Sequence, residues 1–145
     1  MIKDYTPDAL AACAELYVQA FNGPPWNDKW TVAAAGARLR EFVGSSRFFG
    51  FTLWEADTLI GAVFCRALTF YFGEEAYVEE LFVAPACQRN GHGAALMQAV
   101  EAYAKEHSLV SITLLTGKGK PSFQFYEKRG YKQSEAMVFM YKRIG

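Results

Sequence analysis

Apolar residues recur every three or four positions over 8–21. Leu10, Cys13, Leu16, Tyr17, Ala20 and Phe21 share one face there, which predicts a first helix. Asn22-Gly23-Pro24-Pro25 breaks it. Thr31 can cap a second helix that puts Val32, Ala35, Leu39, Phe42 and Val43 on one face before Gly44-Ser45-Ser46 ends it. From Phe48 the texture turns aromatic and branched. The runs 48–54, 59–72 and 77–83 read as three consecutive antiparallel strands, with turns at 55–58 and 73–75. Period two sets the adjacent Glu79 and Glu80 on opposite faces of the third.

Pro85 stops that strand. A helix follows over 91–107, striped by Leu96, Ala99, Val100 and Tyr103. Residues 111–115 form a short buried strand, Pro121 opens a helix that Gly130 closes, and 137–141 make a last strand. The order β-α-α-β-β-β-α-β-α-β predicts an α+β fold of three layers, α/β/α, in one domain over 1–145. Its sheet is mixed and mostly antiparallel, with one parallel pair made by the crossover across 77–115.

Composition narrows the function. The 15 basic and 15 acidic side chains cancel, so the general basic field of a nucleic-acid binder is absent. No uncharged apolar run approaches the roughly 18 residues of a membrane span, and no basic-then-apolar leader opens the chain. The expectation is a cytoplasmic protein with neither nucleic-acid nor membrane partner. Cys13, Cys65 and Cys87 form no CxxC pair, and His92 and His107 are far apart in sequence. No metal is expected.

Chemistry concentrates where the third strand meets its loop: Tyr77-Val78-Glu79-Glu80-Leu81-Phe82-Val83-Ala84-Pro85-Ala86-Cys87-Gln88-Arg89-Asn90-Gly91-His92-Gly93-Ala94. Free N–H groups at a helix start, approached through glycines, suit a pyrophosphate, and Arg89 adds a cation. A P-loop would need GxxxxGK[ST], which Gly117-Lys118-Gly119-Lys120 does not supply. A dinucleotide loop fails because Leu96 stands where the third glycine belongs, and 108–126 contain no acidic residue to hold a ribose.

What remains, Gln88 to Gly93 as QxxGxG between a strand and a helix, resembles the GCN5-related N-acetyltransferase (GNAT) family. A second family element, NxxAxxFYxxxGF, is matched by Phe125-Tyr126 and Gly130-Tyr131, with Gly119 replacing the usual Asn and Ser122 the usual Ala. The resemblance implies acetyl-CoA as cosubstrate and a parallel strand pair splayed at the cofactor site. Leu81, Phe82 and Val83 would meet the pantetheine arm there. Gln88, Arg89, Asn90, Gly91, His92, Gly93 and Ala94 would hold the pyrophosphate, His92 with an exposed side chain.

Attack on a thioester needs a neutral amine. An alkylamine of pKa about 10.4 is only ~10⁻³ neutral near pH 7.4, a cost of about 4 kcal/mol, so a carboxylate must take its proton. By resemblance that base is Glu79, with Glu80 its rival; partnership with Arg66 is the alternative role for either. Tyr126 would be the acid toward the departing thiolate. That transfer is uphill by ~2 kcal/mol on bulk values, so hydrogen bonding carries much of the effect. Trp26, Asp28, Trp30, Tyr71 and Glu80 would line the acceptor pocket, aromatic and acidic groups suiting a small cationic amine. The rival readings are a non-catalytic module binding CoA or a metabolite, and a protein N-terminal or lysine acetyltransferase. A homodimer through an edge strand over 136–143 is a further option.

Overall fold

The computed structural model describes residues 1–145, in two units, Met1–Leu115 and Thr116–Gly145. In the first, β1 (Ile2–Asp4) runs through a 3₁₀ turn, Pro7–Ala9, into α1 (Leu10–Asn22). That helix buries Cys13, Ala14, Leu16, Tyr17 and Ala20, the face its spacing predicts. The second helix, α2 (Val32–Val43), starts where Thr31 Oγ1 accepts the Ala34 N–H at 3.1 Å, as a cap should. Then come β2 (Phe48–Glu55), β3 (Thr58–Phe70) and β4 (Gly73–Val83). A second 3₁₀ turn, Pro85–Cys87, leads to α3 (His92–Glu106) and β5 (Ser111–Leu114).

The five strands lie in chain order, antiparallel from β1 to β4, with β5 parallel to β4. Helices cover both faces, so the architecture is the mixed, layered one expected. On one face α1 and α2 bury Leu59, Ala62 and Phe64 of β3 and Phe82 of β4; burying a leucine or phenylalanine side chain contributes about 1.5–3 kcal/mol. On the other, Tyr103 of α3 stacks on Phe49 at 3.8 Å between centroids. Leu96 of α3 approaches Gly61 so closely that a Cβ there would sit 3.0 Å from its Cδ1. A side chain at Gly61 would have to push Leu96 aside.

Two expectations for the first unit need correction. The turn placed at 73–75 is strand: Phe70 pairs with Gly73, Thr69 with Glu74 and Leu68 with Glu75, so Tyr71 and Phe72 alone close the hairpin. Gly73, at φ +144°, supplies backbone freedom at the first position of β4 and not within a turn. The second correction concerns Glu79 and Glu80. Phe64 faces Glu80 but Cys65 faces Val78, so Glu79 is the extra residue of a β-bulge. A bulge suspends period-two alternation, and the two glutamates need not face apart.

In the second unit, α4 (Pro121–Glu127) begins on its proline. Gly130, at φ +89°, closes it while the Tyr131 N–H returns to the Tyr126 carbonyl at 3.1 Å. The strand expected over 137–141 does not form: Met137, Val138, Phe139, Met140 and Tyr141 are 74% to 85% exposed outside any ladder. Strand propensity supplies no hydrogen bonds of its own; a neighbouring strand must. No helix in the chain is long and apolar enough to cross a membrane.

Candidate active site

The parallel pair opens partway along. Glu75, Ala76, Tyr77 and Val78 pair with β5, and there the pairing stops, while β4 continues to Val83. The bulge at Glu79 falls on the first residue beyond it. Further along, the Ala84 N–H donates to the Ile60 carbonyl at 2.8 Å and the Phe82 carbonyl lies toward Gly61, both on the β3 side. Alternation therefore turns the backbone groups of Leu81 and Val83 to the open edge. Gln88 Nε2 reaches the Val83 carbonyl at 3.2 Å.

Past the second 3₁₀ turn, Arg89 and Gly91 both adopt positive φ, +69° and +82°. The first bond of α3 runs from the Ala95 N–H to the Gly91 carbonyl, and no side chain caps the helix. The N–H groups of His92, Gly93 and Ala94 thus lack intrahelical partners. Nothing lies within 4 Å of a Cβ built on Gly91, so its backbone is open to close approach. Arg89 and Asn90 are exposed beside it. The His92 side chain, expected to be exposed, is only 21% so, with Nε2 3.8 Å from Glu55 Oε1.

The bulge brings charged groups together on β4. Tyr17 Oη and Arg38 Nε both donate to Glu80 Oε2, at 2.6 and 2.9 Å. Glu79 Oε1 lies 2.6 Å from Arg66 Nε, although that N–H points off the line and makes no aligned hydrogen bond. Tyr77 senses all four charges. Burial raises its hydroxyl above the ordinary phenol range, Glu79 and Glu80 push the same way, and Arg66 and Arg38 oppose. Burial likewise raises the Tyr17 hydroxyl, reinforced by Glu80, and keeps it a donor.

Aromatic rings build the wall around Glu80. Tyr17 meets Trp30 edge-on at 5.1 Å and Phe82 at 5.3 Å, while Trp26 contacts Phe21 at 5.8 Å. Asn22 clamps Trp30 through both its backbone groups, at 2.8 and 2.9 Å. The Trp30 indole N–H donates to Asp28 Oδ2 at 3.1 Å. Trp26, Asp28, Trp30 and Glu80 are thus gathered at one end of the sheet. Tyr71 is not with them: it is 92% exposed at the hairpin tip, separated from Phe82 by the length of β4, about 30 Å at ~3.3 Å per residue. In the second unit Tyr126 is 9% exposed and meets Phe125 and Tyr131 edge-on at 5.0 and 5.6 Å. No three His, Cys, Asp or Glu side chains gather as a metal site.

Sequence reasoning did not single out Tyr17 or Arg38. Tyr17 lay on the apolar stripe of α1, where the one available signal was that a buried hydroxyl needs a partner. For Arg38 there was no signal, because its partner is 42 residues away.

Comparison with known proteins bears on this geometry. The model of the acetyltransferase (GNAT) family matches residues 10–131. No sequence relative emerges among curated proteins. Among solved structures, an apo aminoglycoside antibiotic 6'-N-acetyltransferase, AAC(6')-IG from Acinetobacter haemolyticus, is similar at 18% identity and TM-score 0.78, covering 100% of this chain and 99% of that one. A transcriptional regulator from Bacillus halodurans C-125 is similar at 18% identity and TM-score 0.79, covering 98% and 99%. AAC(6')-Iy in complex with the bisubstrate analog CoA-S-monomethyl-acetylneamine is similar at 19% identity and TM-score 0.75, covering 99% and 98%. At such identities the likeness is one of fold.

Proposed function

The chain belongs to the acetyltransferase (GNAT) family, and we propose that it transfers an acetyl group from acetyl-CoA to the primary amine of a small acceptor by direct attack. One observation carries this reading: an open strand edge runs into an uncapped helix N-terminus beside a glycine with free space around it. That arrangement fits an extended amide-bearing arm continued by a pyrophosphate. When bound, acetyl-CoA supplies an acetyl group activated as a thioester.

The chain's own residues would do the rest. Leu81 and Val83 offer strand-like backbone groups to the arm, with Phe82 between them facing β3. The N–H groups of His92, Gly93 and Ala94 would meet the pyrophosphate, with the loop residues Gln88, Arg89, Asn90 and Gly91 around it. Glu79, at the bulge, would accept the proton of the incoming ammonium. Its Oε1 lies beside the Arg66 guanidinium, and Oε2 would take the proton. Tyr126, assigned by the family motif, would donate toward the thiolate. No cysteine–histidine pairing supports an acyl-enzyme, and direct transfer is the simpler route.

A thermal-shift comparison of acetyl-CoA, CoA and NAD tests the reading, because a ligand that binds only the native state raises its melting temperature. Acetyl-CoA and CoA are expected to stabilise the protein. Stabilisation by NAD and not by CoA overturns the proposal. Binding of CoA without amine-dependent thiol release would mark a non-catalytic binding module.

A further inference from the structure

Granted that acetyltransferase reading, we infer that the acceptor carries a carboxylate close to its amine, and that Arg38 is the residue that reads it. The two glutamates at the acceptor end of the sheet are already matched by arginines. Glu79 pairs with Arg66 and Glu80 with Arg38, and Asp28 holds the Trp30 indole. Toward the hairpin, Glu74 pairs with Arg47 and Glu75 accepts from Ser111 Oγ at 3.1 Å. Each of the two glutamates is therefore paired with a guanidinium, and Asp28 is the one carboxylate there without a cation beside it. A polycation would meet that single unmatched carboxylate and two guanidinium groups.

Arg38 is built to present its charge. The side chain is 44% exposed, and its guanidinium lies between the rings of Phe42, at 4.9 Å, and Trp30, at 5.8 Å. Those contacts fix the plane of the fork. Only Nε is spent on Glu80, and no second carboxylate meets the two terminal nitrogens, the groups that bind carboxylates side by side. Glu80 and Arg38 thus set a negative and a positive group next to each other. An ammonium with a nearby carboxylate is the complement of that pair, its amine directed to the glutamates and its acid to Arg38.

The decisive comparison is between α-amino acids and their carboxamides, the same amines without the acid, with spermidine and kanamycin as polycations and thiol release as readout. The acids should show kcat/KM at least tenfold above their amides and above both polycations. Arg38→Gln should erase that preference by raising KM at least tenfold more for the acids than for the amides, and Arg38→Lys should restore part of it. Amides or polycations used as well as the acids overturn the inference, as does transfer to no member of the panel. A loss in Arg38→Gln that is equal for acids and amides also overturns it, since Arg38 would then act only through Glu80. If acetyl-CoA fails to stabilise the protein, the acetyltransferase reading falls as well; if it stabilises and the acids are not preferred, only this inference falls.

Discussion

Tyr17 and Glu80, 63 residues apart in the chain, are joined by a 2.6 Å hydrogen bond from the Tyr17 hydroxyl to Glu80 Oε2. The contact ties α1 to β4 at the residue after the bulge, where only β3 supports the strand. A hydrogen bond to a charged group contributes about 1.5–3 kcal/mol. Tyr17→Phe is therefore expected to lower unfolding stability by about 2 kcal/mol, leaving Arg38 as the remaining donor. Urea denaturation should show a lower midpoint at unchanged slope. A midpoint like that of wild type would mean that Arg38 alone holds the carboxylate.

The same contact has an alkaline signature. Burial, then Glu80, raises the Tyr17 pKa in the folded chain above its ordinary value of 10.0. A group raised in this way contributes stability that is fully present below the unfolded pKa, and the contribution is lost as pH climbs toward the folded value. Tyr77 is raised too, and burial pushes Cys13 from 9.0 up to about 12, so wild-type stability should begin to fall above pH 9. Tyr17→Phe should flatten the part of that fall above pH 10, by up to about 1.4 kcal/mol per pH unit for one proton. Denaturation midpoints at pH 8, 10 and 11 check it.

Much of this was legible from spacing. The faces of α1 and α2, the Thr31 cap and the strand that stops at Pro85 follow from local pattern, because each depends on residues a few positions apart. The bulge does not. Nothing in Val78-Glu79-Glu80-Leu81 signals an extra residue, because a bulge is a property of two strands in register and β3 is the other one. The run 137–141 fails in the opposite sense: its composition suits a strand, yet it belongs to no ladder. For the site, the glycine loop stands out because helix starts suit anions by backbone alone, and Arg66 is weighed as a partner of the glutamates, whereas Arg38 beside Glu80 is set by tertiary pairing across 42 residues.

Gly91 separates strain from ligand contact. At φ +82° an alanine costs about 1–2 kcal/mol, and with no atom within 4 Å of its Cβ there is no clash to add. Gly130→Ala, at φ +89° with equally open space, calibrates that cost. Gly91→Ala should match it in urea denaturation and also weaken CoA binding at least tenfold by calorimetry. Equal CoA affinity in wild type and variant would take the loop out of the cofactor site.

Glu79 and Glu80 should divide by kinetics. A positioned general base supplies about 10²–10⁴ in rate, so Glu79→Gln is expected to lower kcat about 100-fold at pH 7.4 and to leave CoA affinity intact. With the base gone, only amine already neutral in solution can react. The variant's rate should then rise about tenfold per pH unit below the amine pKa of about 10.4, while wild type stays flatter. Glu80→Gln should act chiefly on the acceptor's KM and on stability, since its carboxylate is held by Tyr17 and Arg38. The pH-dependent rise in Glu80→Gln instead would exchange the two roles.

Tyr126 tests the acid. Its ring is packed edge-on between Phe125 and Tyr131, and phenylalanine keeps that packing while deleting the hydroxyl. Tyr126→Phe should therefore keep the fold and bind acetyl-CoA with the same affinity. Turnover should fall, by about tenfold if the hydroxyl contributes a hydrogen bond worth ~1.4 kcal/mol to the leaving thiolate. The deficit should shrink when the acyl donor carries a more acidic thiol, because a better leaving group needs less help. Unchanged turnover with acetyl-CoA would leave Tyr126 as a packing residue and assign departure of the thiolate to water or to another donor.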